Sequence, residues 1–298
     1  MKIKSTAQLF GVGLGTALGS LALMSAPAFS ATLINEGSDE DAFLQKICIK
    51  AELSDCSDNT VIKDTLKIAE IQGKSARGNN IDSLFLGAKG SNTIPSNLLD
   101  DDILNWVNGT TYHWTLGWTP TGTSNGTAIF SVFSDSDRTS ENKLAELEND
   151  YEGDFNTFNA LGLLTRADDG FDATMELTLD FISFSNGDEQ NTNISLSSSS
   201  APFPASFSKK FFILDDDSLD AGVNMTELQG TFAMSWEGDT ERPTKNGNKA
   251  NSEVLFSISM FDPPGTSSVT TPEPTTILGL LGVGTLGLVG RKRKMEAK

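Results

Sequence analysis

The sequence predicts a mainly β protein, an antiparallel two-sheet sandwich that is jelly-roll-like and carries one or two short helices. Two observations predict it. Several stretches alternate apolar and polar residues with a period of two, as strands do when one face is buried. The pairs Asn108-Gly109, Asn125-Gly126 and Asn186-Gly187 stand beside such stretches, and these pairs favour tight turns. We expect the sandwich to occupy residues 31–265.

Four alternating stretches predict strands most clearly. Their apolar faces are Tyr112, Trp114, Leu116 and Trp118; Met175, Leu177, Leu179 and Phe181; Phe232, Met234 and Trp236; and Val254, Phe256, Ile258 and Met260. After Phe181 the alternation slips, because Ile182 and Phe184 continue it on the opposite parity. Such a slip within one strand indicates a β-bulge or a change of sheet.

Other segments give weaker patterns. Residues 103–107, 111–118 and 128–133 are predicted to be three consecutive strands of a meander. Residues 197–200 are all serine and predict a loop, after which Phe207 and residues 211–214 resume the sheet.

Helical patterns are rare in this chain. Residues 140–151 place Leu144, Leu147 and Tyr151 on one helical face, with Ser140 as the N-cap, and predict a helix. The apolar residues between positions 40 and 73 fit a short helix or a strand equally well.

The chain is strongly acidic. It contains 40 Asp and Glu against 22 Lys and Arg, a formal net charge of −18 at pH 7. Such a surface repels phosphate backbones, which argues against nucleic acid as a partner. It is typical of a protein that its charge keeps soluble, or of one that binds cations.

Two cysteines, Cys48 and Cys56, are the only ones in the chain. An even number of cysteines in an exported protein predicts a disulfide, here one that closes a short local loop. The alternative is a pair of free, buried thiols.

The N-terminal segment has the three parts of a secretory signal peptide. Lys2 and Lys4 give it a positive start, residues 9–24 are apolar, and Ala28 and Ser30 are small residues before Ala31. We expect signal peptidase to remove residues 1–30. A retained membrane anchor is the alternative.

The C-terminal segment is apolar and ends in a basic cluster. Residues 275–290 carry no charge and lie between the motif Pro272, Glu273, Pro274 and the cluster Arg291, Lys292, Arg293, Lys294. As a helix, residues 275–290 would span about 24 Å, short of the hydrocarbon core, which is roughly 30 Å thick. The basic cluster would stay cytoplasmic and leave the folded domain outside the inner membrane.

This order of motif, apolar run and basic cluster resembles a PEP-CTERM sorting signal, in a form similar to that of cyanobacterial proteins. The resemblance implies processing by exosortase, a membrane enzyme of Gram-negative bacteria that produce exopolysaccharide. It implies a precursor held transiently in the inner membrane, facing the periplasm, and then delivery to the cell surface or extracellular matrix. Residues 266–271 would be the linker and residues 272–294 the sorting signal.

A weaker resemblance concerns the middle of the chain. The turn 106–109 and the strand that follows it are similar to a choice-of-anchor β domain named for its tryptophan. Domains of that kind have no assigned activity, so the resemblance implies a fold and no function.

The sequence carries no convincing catalytic motif. His113 is the only histidine, and the alternation points it away from Tyr112 and Trp114, toward solvent. No Gly-x-Ser-x-Gly elbow accompanies it. Trp114, Trp118 and Trp236 could stack on sugar rings if exposed, but the alternation places them in the core.

A calcium site is the one metal site that the sequence suggests. Asp135, Asp137, Thr139 and Glu146 have the spacing of an EF-hand loop, although Ser140 replaces the glycine that such loops require. Residues 168–170 and 215–217 are alternative acidic loops.

We therefore expect a non-catalytic cell-surface or matrix protein that is exported, processed at its tail and associated with exopolysaccharide. It needs no cofactor, with calcium as the open exception. The alternative is a secreted glycoside hydrolase that acts on matrix polysaccharide, which requires two carboxylates facing one cleft.

Overall fold

The computed structural model describes residues 31–77, 81–88, 98–99, 106–121, 125–151, 157–168, 173–200, 205–236 and 252–263. The signal segment 1–30, the linker and the sorting signal lie outside these residues. So do positions 103–105 of the predicted meander.

The chain forms two antiparallel sheets, as the alternation predicts. Its strands are β1 Leu33–Gly37, β2 Lys67–Arg77, β3 Ile81–Ala88, β4 Leu98–Leu99, β5 Thr111–Pro120, β6 Gly126–Phe133, β7 Lys143–Tyr151, β8 Ala160–Ala167, β9 Ala173–Phe184, β10 Glu189–Ser199, β11 Ser206–Leu214, β12 Met225–Trp236 and β13 Ser252–Phe261. Within the described residues, sheet A has seven strands in the order β1-β11-β8-β13-β2-β3-β4. On the same basis sheet B has six, in the order β10-β9-β12-β5-β6-β7.

Aromatic rings fill the space between the two sheets. Phe256 of sheet A contacts Phe232 and Phe130 of sheet B, with ring centroids 4.6 and 6.3 Å apart. Trp114, Trp118 and Trp236 are all buried, at 0%, 3% and 9% exposure, so the core placement of the tryptophans is confirmed. A mainly β sandwich is likewise confirmed.

Two helices, α1 Glu40–Lys50 and α2 Asn59–Leu66, occupy the segment that the sequence left open between helix and strand. Asp39 and Asp58 begin them by accepting hydrogen bonds from free backbone N–H groups of the first turn. The ring of Phe43 stacks on Phe211 of β11, with centroids 4.7 Å apart, which fixes α1 on sheet A. A third helix, α3 Asp216–Asp220, is a single short turn.

Cys48 at the end of α1 is joined to Cys56 by a disulfide. The bond spans a separation of eight residues and fixes the loop between α1 and α2.

The helix predicted over residues 140–151 is wrong. A short 3-10 turn at Ser140–Asn142 leads into the edge strand β7, which pairs with β6. Ala145, Leu147 and Tyr151 are buried on its inner face, whereas Leu144 is 48% exposed. Leu147 and Tyr151 fit the helical and the strand period alike, Leu144 fits only the helical one, and pairing with the free edge of β6 selects the strand.

The predicted meander exists, but it is shifted along the chain. It consists of β5, β6 and β7, whereas Trp106 and Val107 are not in a strand. The backbone N–H of Trp106 donates to the Asp82 carboxylate, 2.8 Å away. Gly109, at φ +72°, allows the turn, and its N–H donates to the carbonyl of Met234.

The loop predicted at residues 197–200 is also wrong for its first three residues, because β10 continues to Ser199. Ser198 is buried, and its hydroxyl lies 2.7 Å from that of Thr165 on β8. A run of serines favours a loop because their hydroxyl groups need hydrogen-bond partners. Here Thr165 provides that partner for Ser198, so the strand can continue.

Candidate binding groove on the outer face of sheet B

A polar groove of about 500 Å³ lies on the outer face of sheet B. It is built by β5, β9, β10 and β12, together with the loop between β6 and β7. The lining residues are His113, Ser136, Arg138, Asp180, Phe181, Glu189, Asn191, Gln229 and Thr231.

The floor of the groove depends on a bulge in β9. Leu177 pairs with Phe232 and Phe181 pairs with Gln229, so β9 contains one residue more than β12 over this interval. A bulge lets consecutive residues escape strict alternation. Asp180 and Phe181 are neighbours in sequence, and both line the groove.

This bulge corrects the expected position of Phe181. The sequence placed Phe181 on the buried face with Leu179 and put the slip after it. The slip instead comes before Phe181, whose ring is half-buried on the outer face, whereas Ile182 and Phe184 are buried.

A second bulge lies in β10, beside the first. Asn191 pairs with Phe181 and Ile194 pairs with Leu179, which leaves one extra residue in β10. Asn193 lies within it at φ +50°, a left-handed conformation that asparagine tolerates better than most residues.

The strand register places three groove residues in one row. Asn191 on β10 is opposite Phe181 on β9, which is opposite Gln229 on β12. Neighbouring strands lie about 4.8 Å apart. An aromatic ring is therefore flanked on both sides by an amide side chain.

Arg138 reaches the groove from the β6–β7 loop. Its backbone is left-handed, at φ +50°. Its guanidinium reaches the sheet, where Nη2 donates to the Gly230 carbonyl at 3.3 Å, and Nη1 donates to the Ser136 carbonyl at 3.2 Å. Nε is buried and has no partner in the described part of the chain.

His113 points to the outer face, as expected, but the groove half-buries it. Burial lowers the pKa of His113, and the nearby charge of Arg138 lowers it further, against smaller opposite effects of Asp135 and Asp180. His113 is therefore neutral at pH 7 and offers one hydrogen-bond donor and one acceptor.

Several polar groups of the groove lack internal partners. Within the described ranges, the side chains of His113, Asp180, Glu189 and Asn191 make no hydrogen bond. By contrast, Gln229 donates to Glu227 at 2.5 Å, and Thr231 shares a hydrogen bond with Thr178 at 2.9 Å. The groove thus presents donors and acceptors that the fold itself does not use.

A second cavity, of about 350 Å³, lies under α1 and α2 on the outer face of sheet A. Its charges are paired internally: Glu40 with Lys63 and Lys209, and Glu70 with Lys67. Burial alone would raise the pKa of Glu40, but the hydrogen bonds from the two lysines outweigh it and lower that pKa. These ion pairs tie the helices to β11 and serve the fold.

The calcium candidates do not come together. Asp137 accepts hydrogen bonds from the Thr139 N–H and the Asn142 amide, at 3.2 and 2.8 Å, and Asp135 accepts from the Ser136 N–H. Glu146 lies on β7, where it bonds Ser131 and Lys143. In the segments that the structure describes, no three His, Cys, Asp or Glu residues are placed to hold a metal ion.

The alternative acidic loops have internal partners too. Asp215 caps α3 through the Ser218 N–H at 2.8 Å. Asp168 accepts a hydrogen bond from Arg166 at 2.6 Å, and residues 169–172 lie outside the described residues.

A comparison with known protein families gives a match at the C-terminus. Residues 270–294 match the family model described as the PEP-CTERM protein-sorting motif. The chain carries a PEP-CTERM sorting signal. This signal implies an exported protein whose membrane-anchored precursor is processed by exosortase. No curated protein matches the chain.

The sorting signal itself, with Pro272–Pro274 and the basic cluster 291–294, lies outside the described residues. Within the residues that are described, no helix is long and apolar enough to cross a membrane.

Sequence reasoning missed the groove. Phe181, Asn191 and Gln229 come from three strands, and only their register brings them together. The slip of alternation near Phe181 was the one signal in the sequence that pointed there.

Proposed function

We propose that this PEP-CTERM protein is a non-catalytic component of the cell surface or extracellular matrix, associated with exopolysaccharide. The observation that carries the proposal is the sorting signal at residues 270–294. The secretory pattern at the N-terminus agrees with the sorting signal, because both segments are signals that direct a protein out of the cytoplasm.

The folded domain supports an extracellular location. The disulfide between Cys48 and Cys56 suits an oxidising compartment outside the cytoplasm. The net charge of −18 favours a soluble and non-aggregating exported chain.

The non-catalytic part of the proposal rests on the groove. Within the described residues, no nucleophilic side chain is hydrogen-bonded to its lone imidazole, so His113 does not form the nucleophile–base pair of covalent catalysis. The buried Asp262, whose pKa burial raises to about 6, lies at the end of β13 and bonds Thr157, away from the groove.

A secreted glycoside hydrolase is the competing function, and one observation favours it: the carboxylates of Asp180 and Glu189 line the same groove. A hydrolase of this kind would release reducing ends from the host's exopolysaccharide. The double variant Asp180→Asn, Glu189→Gln would abolish that release. We expect the unaltered protein to release none.

Intact-mass analysis of the protein, recovered from the membrane, surface and matrix fractions of its native host, tests the main proposal. We expect the surface and matrix forms to lack both residues 1–30 and the basic end of the sorting signal. Replacing Pro272, Glu273 and Pro274 by alanine should hold the uncut protein in the membrane fraction. The linker variant Ser267→Ala, Ser268→Ala is the matched control and should be processed normally.

Association with exopolysaccharide has its own test. In a host strain that makes no exopolysaccharide, the cut protein should appear in the medium instead of the matrix fraction. A surface form that retains residues 272–298, or an unchanged distribution in that strain, would contradict the proposal.

A further inference from the structure

We infer that the groove on sheet B binds a neutral pyranose ring of a polysaccharide, stacked on Phe181 and held by the amides of Asn191 and Gln229. This inference rests on the proposed function and names the chemistry of its contact with exopolysaccharide. Nothing in the comparisons assigns a ligand to this domain.

The row across three strands carries the argument. A pyranose ring has an apolar face of C–H groups and a rim of hydroxyl groups, so it needs a flat apolar surface with polar groups around it. Phe181 supplies the surface. Asn191 and Gln229 lie on the two neighbouring strands, about 4.8 Å to either side, within reach of the rim.

The free polar groups extend the match beyond the row. An amide and a neutral imidazole each donate and accept hydrogen bonds, and a carboxylate accepts them. Neighbouring sugar hydroxyl groups both donate and accept, so these side chains can bind them. His113, Asp180, Glu189 and Asn191 make no hydrogen bond to the described part of the protein. A polyhydroxylated ligand would satisfy all four without breaking an internal bond.

The charge of the groove selects a neutral sugar. Two carboxylates, Asp180 and Glu189, face a single guanidinium, that of Arg138. Arg138 already donates to two backbone carbonyls. An acidic sugar would therefore meet net repulsion, whereas a neutral sugar would not.

The backbone around the groove has features that lower the stability of the fold, and a binding function would explain why they are kept. Bulges in β9 and β10 lie side by side, and Arg138 and Asn193 have positive φ. Such features lower stability unless the surrounding structure compensates, and they concentrate at binding sites. Here they serve to bring Asp180, Phe181 and Arg138 onto one surface.

Phe207 provides a matched control. It is 69% exposed on β11, on the outer face of sheet A, and is thus a more accessible ring than Phe181. Its strand partner is Arg166, and the ammonium group of Lys209 lies 5.5 Å from its ring centroid. In the described part of the chain, no amide pair flanks the Phe207 ring.

The test uses the full chain, purified in detergent, and isothermal titration calorimetry. The probes are neutral hexasaccharides of glucose, mannose and galactose, and the neutral fraction of a partial hydrolysate of the host's exopolysaccharide. We expect at least one probe to bind the unaltered protein. Phe181→Ala should weaken that binding at least tenfold, and Phe207→Ala should change it less than twofold.

Further variants separate binding from folding. Asn191→Ala and Gln229→Ala should each weaken binding about three- to tenfold, and Phe181→Tyr, which keeps the ring, should bind within threefold of the unaltered protein. All variants are compared by thermal melting. Absence of binding to every probe, or a loss that is equal for Phe181→Ala and Phe207→Ala, would overturn the inference.

The two proposals fail separately. If no sugar binds but the tail is processed and the protein reaches the matrix, only the groove inference falls. If sugar binds but residues 272–298 remain on the surface form, the export and sorting proposal falls and the groove stands.

Discussion

His113 shows how one residue reports the electrostatics of the groove. It is the only histidine in the chain, so a single imidazole signal in an NMR titration belongs to it. Burial and the charge of Arg138 lower its pKa, which makes the signal sensitive to its neighbours.

We predict that His113 titrates below the ordinary histidine value of about 6.5. Arg138→Gln should raise the pKa of His113, because it removes a nearby positive charge. Asp180→Asn should lower it further, because Asp180 favours the protonated imidazole. A pKa that neither substitution changes would mean that Arg138 and Asp180 do not face the ring as the groove requires.

Asp262 is a buried carboxyl group whose titration affects the free energy of unfolding. It is 5% exposed, and burial raises its pKa to about 6 despite hydrogen bonds to Thr157. Between the unfolded value of about 3.9 and this value, the folded state binds more protons than the unfolded state. The contribution of Asp262 to stability therefore falls as the pH rises through that window.

We predict that Asp262→Asn removes the loss of stability that accompanies deprotonation of Asp262. Relative to the unaltered protein, the variant should gain free energy of unfolding between pH 4 and pH 7, by roughly 2–3 kcal/mol. Urea unfolding at several pH values measures the difference. Because the other carboxylates are common to both proteins, a difference that does not change with pH would refute the assignment.

At the scale of the elements, strands β9 and β12 are tightly packed where they pair beside the bulge. Gly230 on β12 lies beside the bulge, and a Cβ there would overlap the carbonyl oxygen of Thr178 on β9 and the ring of Trp114. The hydroxyl of Thr178 also accepts the Thr231 N–H at 2.9 Å. The bulge leaves no room for a side chain at this position.

Gly230→Ala should therefore destabilise the protein by about 1–3 kcal/mol, because the backbone or the Trp114 ring must move. Gly117→Ala on β5 is the control, since its nearest heavy atom would be the Ile129 carbonyl oxygen, 4.0 Å away. Surface changes of that kind are usually within about 0.5 kcal/mol. Chemical denaturation measures both, and an equal effect at the two positions would contradict the described bulge.

The elements also show where sequence reasoning succeeds and where it fails. The strands β5, β9, β12 and β13 were predictable because their alternation is long and one face is fully apolar. Strand β7 was not, since Leu144, Leu147 and Tyr151 also fit a helix, and the choice depends on the unpaired edge of β6. The serines at the end of β10 form a strand because the hydroxyl group of Ser198 is hydrogen-bonded to that of Thr165, which is distant in sequence.

At the scale of the whole molecule, net charge governs behaviour in solution. A formal charge of −18 produces self-repulsion that opposes the compact state. The ion pairs that the structure describes, such as Lys46–Glu36 and Lys209–Glu40, involve partly exposed side chains and offset little of it.

We predict that added salt raises the melting temperature at neutral pH, by a few degrees between 0.01 and 0.15 M NaCl, because the Debye length falls from about 30 Å to about 8 Å. The matched control is a titration at pH 4, near the isoelectric point of about 4.4, where the effect should shrink. A melting temperature that falls with salt at pH 7 would mean that attractive pairs outweigh the repulsion.

The sequence by itself determined that this protein is exported and that exosortase processes its membrane-anchored precursor, because a sorting signal is read as a linear segment and needs no tertiary contacts. It also determined the sandwich class, since alternation and turn pairs are local. Only the tertiary structure decided that Asn191, Phe181 and Gln229 form one row. Their meeting depends on strand register and on two bulges, and a single added residue reverses which face a side chain occupies.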